Sequence, residues 1–365
     1  MSSNLKRFYD RGRLLCGMLS IKAFRKKKYP FYVNLVINSS CNLNCSYCFG
    51  KYAHRPPRNI TFDDFKELTD LLIKKGIKYI LIQGGEPLLH PELGKMIKYL
   101  YDKKIITALV TNGSLPEKIR KIPELDLMDN ICFSLDGNRE GNDRVRGKGS
   151  FDKVLESIAE VKKNYTVPVR INSTIHKFVH TDIDFMAKFM KEKKIEWGIN
   201  FLFSGKEKAE GESLVLTREQ MIDYLKKLLE YKKAGYPIFT TSKIIKYTMR
   251  WVSRNDEIFS TLERLKKINF QKPIECQYGN YEIAIDEDYK IYPCQGLQNI
   301  FPAKSIKDCG FDEAFKNLEN KPCYSCYIPS MINTSAMINW DLSVIFETIW
   351  ETFRNRFLTK KCSCC

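Results

Sequence analysis

Cys41, Cys45 and Cys48 crowd within eight residues, directly behind the apolar run FYVNLVIN at 31–38. Thiolates are soft donors, suited to zinc or to iron–sulfur clusters. A closed structural zinc site takes four ligands. Three thiolates leave a four-iron cluster with one iron open to another molecule. His54 is the nearby side chain that would complete a zinc site instead. A second group follows much later: Cys276, Cys294, and the knuckle Cys323-Tyr-Ser-Cys326. Four thiolates fit either a fully ligated cluster or zinc. Of the 13 cysteines, Cys16 and Cys132 read as packed thiols. Cys309 and the tail Cys362, Cys364 and Cys365 stay open between a further cluster, thiol exchange and no ligation at all.

The 365 residues suffice for one large domain and a smaller one. A hydrophobic fraction of 44% and a charged fraction of 28% are ordinary for a globular chain, but the net charge of +17 is not. It favours an anionic partner or reflects many solvated lysines. The stretch 14–21 is weakly apolar and runs into Arg25-Lys26-Lys27-Lys28 with no small-residue cleavage site, so neither export nor a spanning helix is expected. Metal-bound cysteines in a reducing cytoplasm are the simpler account. Residues 5–28 form a basic amphipathic pattern, which reads either as a helix on an anionic membrane surface or as a packed helix with a solvated face.

From residue 31 the pattern alternates. Strands are expected at 31–38, 79–83, 105–111, 130–135, 169–175 and 195–203. Helices are expected at 62–75, 91–102, 116–121, 151–164, 182–193 and 217–233, with Thr61 and Asp64 as a capping pattern at the first. Six strand–helix units imply an α/β fold, a partial (β/α)6 barrel or curved parallel sheet. Beyond it the expectation is a linker helix over 241–270 (apolar from 244 to 268), a cysteine-rich domain over 271–330 with a hairpin turning at Asp286-Glu287-Asp288, and a C-terminal helix and tail over 331–365. The divisions before them are 1–29 and 30–240.

With these motifs the chain resembles the radical S-adenosylmethionine (radical SAM) superfamily. The resemblance rests on the spacing of Cys41, Cys45 and Cys48 with Tyr47 before the last, on Gly84-Gly85-Glu86-Pro87 after the second strand, and on Thr111-Asn112-Gly113 after the third. Ser134-Leu135-Asp136-Gly137 after the fourth strand and Asn172 on the fifth complete it. It covers about residues 30–240 and implies the following. Cys41, Cys45 and Cys48 bind a 4Fe-4S cluster whose open iron chelates S-adenosylmethionine. One electron breaks a carbon–sulfur bond, and the resulting 5′-deoxyadenosyl radical abstracts hydrogen from an unactivated C–H bond. The cofactor carries the hard chemistry. Gly84 and Gly85 would let the backbone approach the ligand, and Glu86 would accept from its ammonium. Tyr47, Pro87, Asn112, Ser134, Asp136, Arg146 and Asn172 are further cofactor-binding candidates; no catalytic residue is named.

The later cysteines resemble the auxiliary-cluster extensions called SPASM and twitch. With no cysteine from Tyr327 to Lys361, a single cluster on Cys276, Cys294, Cys323 and Cys326 fits the shorter twitch type better. Tyr289 departs from the pattern, which usually has Gly there. Enzymes of this kind act on ribosomal peptides, alcohols, sugars or carbon skeletons, so a peptide or a lipid-linked or other small-molecule substrate is expected, with a reductase supplying electrons. The reading from another class is a non-catalytic metal-cluster protein that binds nucleic acid. Against it, the lysines are not gathered into one stripe, so no nucleic acid is expected.

Overall fold

Apolar runs and helical stripes become strands and helices in the expected order in the computed structural model, which describes residues 12, 29–202, 208–209, 211–298 and 300–359. The basic segment 5–28 (residue 12 apart) and the cysteine tail 362–365 lie outside the described residues. In chain order the strands are β1 (Tyr32–Val36), β2 (Tyr79–Gln83), β3 (Ile106–Thr111), β4 (Asn130–Ser134), β5 (Val169–Ile175) and β6 (Glu196–Phe201). Then come the two-residue pieces β7 (Lys208–Ala209), β8 (Glu212–Ser213) and β9 (Phe259–Ser260), then β10 (Glu282–Ile285), β11 (Lys290–Tyr292), β12 (Lys304–Ser305) and β13 (Ser325–Cys326). The helices are α1 (Phe62–Lys74), α2 (Leu93–Asp102), α3 (Pro116–Ile119), α4 (Arg139–Arg146), α5 (Ser150–Asn164) and α6 (Ile183–Lys193). They continue as α7 (Arg218–Lys233), α8 (Ser242–Val252), α9 (Leu262–Lys267), α10 (Ile306–Lys316), α11 (Pro329–Ile338) and α12 (Leu342–Thr359).

Local chemistry starts the helices where sequence places them. Thr61 Oγ1 accepts the Asp64 N–H at 3.2 Å at the start of α1, and Thr217 with Gln220 closes a reciprocal capping box on α7. Three features differ from expectation. The stripe 244–268 is broken: α8 stops at Val252, and a β9 strand and a Thr261 cap intervene before α9. The intervening Ser-Arg-Asn-Asp-Glu favours turns over helix. α4 carries no apolar stripe to betray it, and α11 is buried on nearly all sides, so it shows no amphipathic period.

The chain forms two compact units. The first comprises Met1–Ser134, Arg146–Val169 and Gln277–Lys321. In it β1, β2, β3 and β4 lie side by side in parallel. On its other edge β1 takes β10 in parallel, and β11 and β12 follow antiparallel. Val33, Leu35, Ile80, Ile82, Leu109 and Phe133 fill one face of these strands, completely or almost completely buried. Tyr79, Ile106 and Ala108 pack with Tyr32 and Leu81 on the other. The second unit holds Leu135–Val145, Arg170–Cys276 and Pro322–Cys365. There β5 pairs with β6 in parallel and β9 with β13 antiparallel. Lys232 is buried in this unit, donating to the Ile238 carbonyl at 2.6 Å, with Glu351 at 3.4 Å and Glu347 at 3.6 Å. No helix among the described residues is long and apolar enough to cross a membrane.

The β10 edge carries an unusual residue. Glu282 is buried opposite Tyr32, and its Oε1 accepts from Asn34 Nδ2 at 2.9 Å. Burial raises its pKa to about 8, against the opposing hydrogen bonds of Asn34 and Tyr278. The folded state therefore holds this proton more tightly than the unfolded chain, whose carboxyl titrates near 4.5. Glu282 thus costs the fold nothing below pH 4.5 and progressively more as pH rises to about 8. Glu282→Gln should match wild type near pH 4 and exceed it by on the order of 2–4 kcal/mol above pH 8. Urea unfolding across that range tests this; a pH-independent difference would refute it.

Candidate active site

The cysteine loop leaves β1 at Val36 and is closed at its base by its own backbone. Ser39 N–H donates to the Arg58 carbonyl at 2.9 Å, Ser39 Oγ donates to Pro56 O at 2.7 Å, and the Arg58 N–H returns to Ser39 Oγ at 2.9 Å. Within the loop the Cys48 N–H donates to Cys45 O at 3.0 Å, making a turn of the C-x-x-C segment. Cys41, Cys45 and Cys48 are all half-buried, open on one side. Among the described residues, no three His, Cys, Asp or Glu side chains already converge to metal-binding distance.

Gly84 and Gly85 bring the end of β2 against this loop. The Gly85 N–H donates to Asn38 O at 2.8 Å and the Glu86 N–H to Ser40 O at 2.7 Å. A Cβ on Gly84 would run into Asn38, and one on Gly85 into the Ser40 carbonyl. The close approach that sequence suggests for these glycines is thus made to residues 38–41.

Glu86 is wholly buried. Its Oε1 accepts from Thr111 Oγ1 at 2.7 Å and the Leu88 N–H at 3.0 Å, and its Oε2 accepts from the Asn112 N–H at 2.7 Å. Asn38 Nδ2 donates to the Glu86 carbonyl at 2.9 Å. The carboxylate expected to meet a ligand ammonium is engaged inside the protein, where it ties the ends of β2 and β3 together. Burial lifts its pKa to about 7 despite these three donors.

Asn112 continues the chain of contacts. Its Oδ1 accepts from the Ser114 N–H at 2.8 Å and Ser114 Oγ at 2.6 Å, and its Nδ2 donates to Asn42 Oδ1 at 3.0 Å and lies 3.9 Å from Cys41 Sγ. Asn42 Nδ2 in turn donates to Ser114 Oγ at 2.8 Å. Sequence reasoning passed over Asn38, Asn42 and Ser114; the amide between Cys41 and Cys45 and the hydroxyl after Thr-Asn-Gly were the available signals. Arg146 is buried, with its guanidinium 5.4 Å from the centre of the Tyr47 ring. Pro87 starts the short helical turn behind Glu86, and Ser134 ends β4.

The remaining candidates belong to the second unit. Asp136 is completely buried; its Oδ1 accepts the Thr174 N–H at 2.8 Å, and its own N–H donates to Asn142 Oδ1 at 3.2 Å. Asn172 Oδ1 accepts from Asn200 Nδ2 at 3.4 Å, and Asn200 Oδ1 accepts from Ser330 Oγ at 2.8 Å. Of the later cysteines, Cys294 lies in the first unit, at the end of the β10–β11 hairpin, and Cys276, Cys323 and Cys326 lie in the second. There the Cys276 N–H donates to Tyr324 O at 2.9 Å, which sets Cys276 beside the Cys323–Cys326 knuckle.

The residues of the first loop fit a metal cluster. Three soft donors stand on one partly open loop. Burial, Glu86 and Cys48 raise the Cys41 thiol to about 11, with the Leu43 and Asn112 hydrogen bonds pulling the other way. A bound cation reverses such a shift, because it favours the thiolate. Beside the loop, Gln83 Nε2 is buried with no hydrogen-bond partner, one residue before Gly84.

Residues 35–190 match the family model of the Radical SAM superfamily. The AdoMet-dependent heme synthase of Methanosarcina barkeri (strain Fusaro / DSM 804) is 33% identical over 153 residues, which are 40% of this chain and 43% of that protein. The GTP 3′,8-cyclase of Helicobacter pylori (strain HPAG1) is 27% identical over 331 residues, 85% of this chain and 92% of that one. Among solved structures, Streptococcus suis SuiB bound to precursor peptide SuiA superposes with a TM-score of 0.60 at 16% identity, covering 83% of this chain and 67% of that chain. That likeness is one of fold, and it agrees with the α/β class read from the sequence. The chain thus spans less than half of the heme synthase it matches.

Gly85→Ala tests the contact between β2 and the cysteine loop. Its methyl group meets backbone, not a flexible side chain, so residues 40–41 must move. Stability should fall by about 1–3 kcal/mol, the usual range for overpacking, and iron uptake on anaerobic reconstitution should fall with it. Wild-type urea midpoints and iron content in the variant would show that the loop yields freely.

Proposed function

The chain belongs to the radical SAM superfamily through residues 35–190, and on that premise we propose that it reductively cleaves S-adenosylmethionine and removes hydrogen from an unactivated C–H bond of its substrate. The family's cofactors are a 4Fe-4S cluster and S-adenosylmethionine. Cys41, Cys45 and Cys48 would hold that cluster. When bound, the pair supplies the electron and the 5′-deoxyadenosyl radical that make an inert C–H bond reactive.

The observation that carries the reading is the junction of three motifs: the buried Glu86 carboxylate joins Gly84–Glu86 to Thr111 and Asn112, and Asn112 with the Gly85 and Glu86 N–H groups reaches the cysteine loop. The chain's own residues then have distinct tasks. Glu86 holds the ends of β2 and β3 at fixed spacing. The N–H groups of Gly85 and Glu86 hold the first residues of the cysteine loop. Asn112 directs an N–H toward Cys41 Sγ, an outer contact of the kind that orients and tunes a metal ligand. Arg146 over Tyr47 brings a cation to the edge of the loop, suited to a ligand carboxylate.

Cys276, Cys294, Cys323 and Cys326 are proposed to hold an auxiliary cluster that binds substrate or passes electrons. The known proteins this chain resembles carry names that point to different substrates: a heme synthase, a GTP cyclase, and a protein solved with a precursor peptide. A peptide is the proposed class here, supported by the fold likeness to a protein solved with its precursor peptide. A reductase supplies the electron.

Replacing Cys41, Cys45 and Cys48 together by Ala should abolish 5′-deoxyadenosine formation and leave the auxiliary iron in place. Anaerobic reconstitution, iron analysis and product chromatography measure both. Undiminished cleavage in the triple variant would overturn the assignment.

A further inference from the structure

Gln83 ends β2, one residue before the Gly84-Gly85-Glu86 turn, and none of the tasks assigned above falls to its side chain. The residue is 9% exposed, yet its Nε2 has no hydrogen-bond partner among the described residues. Burying an N–H₂ group without an acceptor is unfavourable, so its retention needs a physical reason. Asn38 Oδ1 is also without a partner, but it lies against Gly84, where a Cβ would come within 2.0 Å. Backbone therefore covers that atom. Nothing comparable accounts for the Gln83 amide.

The face of the sheet that carries Gln83 is the less filled one. Side chains alternate along a strand, so Gln83 shares its face with Leu81. The register of the strands adds Val110 of β3 and Cys132 and Ser134 of β4 to that face. These four neighbours are only half-buried, although β2 and β3 have strands on both sides. On the opposite face Leu35, Ile80, Ile82, Leu109 and Phe133 are completely buried. Toward the C-terminal ends of the strands, the Gln83 face thus borders an opening that packing does not fill. β1, β2, β3 and β4 contain no charged residue. An ionic acceptor brought to this face would leave water and meet no counter-charge from these strands, whereas a neutral carbonyl oxygen leaves water at much lower cost.

We propose that Gln83 is a substrate-recognition residue, whose Nε2 donates to a backbone carbonyl oxygen of a bound peptide. This rests on the reading of the chain as an enzyme that acts on a peptide, and it names a group that would hold that peptide. Binding sites are mostly apolar, and a few placed polar groups in them set the ligand's orientation. An amide carbonyl is the strongest uncharged acceptor that a peptide backbone offers. Every residue of a peptide carries one, so Gln83 fixes where the backbone runs, not which side chain is read.

The test uses the full-length protein, anaerobically reconstituted with iron and sulfide and saturated with S-adenosylmethionine. The probe is a synthetic pool of N-acetylated, C-amidated decapeptides, and mass spectrometry identifies the members that the protein retains. Gln83→Met keeps the length of the side chain and removes the amide. It should bind the best retained peptide about 5-fold or more weakly. Its iron content should match wild type, and its urea midpoint should be equal or higher, because an unpartnered buried amide has gone. Replacing each amide of that peptide in turn by an ester weakens one carbonyl acceptor at a time. One position should be sensitive with wild type and lose its sensitivity with Gln83→Met. Equal affinity of the two proteins, or no sensitive position with wild type, would overturn the role of Gln83. A loss of S-adenosylmethionine affinity in the variant without peptide would overturn it too, by assigning the amide to the cofactor. Wild type that retains no peptide but still forms 5′-deoxyadenosine would refute the peptide class and this role together. Wild type that retains peptide but forms no 5′-deoxyadenosine would refute the radical reading alone. If Gln83→Met fails to fold, Gln83→Glu keeps the shape, replaces the donor by an acceptor and carries the same expected loss.

Discussion

The first unit's site depends on a carboxylate that never reaches solvent. Burying Glu86 is unfavourable in itself, as its pKa of about 7 shows. Three donors offset that cost, and each comes from a place whose position matters: the turn behind β2, the hydroxyl that ends β3, and the N–H that opens the next loop. A carboxylate can accept at both oxygens simultaneously. An amide would turn an N–H₂ toward a donor at one of these points. The acid is therefore specific to the geometry, although its charge is a burden.

The cysteine loop inherits its position from this brace. Its first residues hang on N–H groups of the β2 end, and its fourth-position neighbour on the β3 end, Asn112, reaches both Asn42 and the Cys41 sulfur. Burial raises the Cys41 thiol above its ordinary range, and the nearby Glu86 carboxylate adds to that effect. Cys41 is thus a donor that disfavours its own ionisation unless a positive centre joins it. That is the electrostatic character expected of a cluster ligand, and it arises chiefly from burial, with the Glu86 carboxylate adding to it.

Much of this was legible in the chain. Alternation placed the six strands within a few residues: β1, β2 and β3 are buried on both faces and read as continuous apolar runs, whereas β5 and β6 alternate buried and half-buried positions and read with a period of two. Thr61 announces its helix through a side-chain acceptor. The cysteines at 41–48 stand out through spacing, and the motifs at 84–87 and 111–113 through the family resemblance. What each residue does was less legible. Glycines 84 and 85 signal a close approach but not its partner, which is Asn38 and Ser40. Glu86 signals a polar contact but not its direction, since burial is a tertiary property. α4 and α11 escaped because one has Val145 as its lone large apolar residue and the other buries its polar residues Asn333 and Ser335 along with its apolar ones, so neither shows an apolar stripe.

The β10–β11 hairpin shows how the later part of the chain is bound to the first cysteine group within the same unit. Its turn holds Asp286, whose Oδ1 accepts the N–H groups of Asp288 at 3.0 Å and Lys290 at 2.9 Å. Tyr289 occupies the position where glycine was expected and takes φ +63°, the left-handed region that glycine enters without strain. The turn survives the larger residue because Asp286 fixes its backbone and Lys307 lies 3.9 Å above the tyrosine ring. On the outer side of the same turn, Glu287 pairs with Arg55 at 3.2 Å and Asp288 pairs with Arg58. Both arginines belong to the segment that follows Cys48. The Glu287 side chain is almost completely buried, so its pair with Arg55 is screened less than an exposed one would be. Movement of the hairpin that ends at Cys294 must therefore strain the segment that closes the Cys41–Cys48 loop. The hairpin that ends at Cys294 and the segment that follows Cys48 are thus joined through an acidic turn and two arginines.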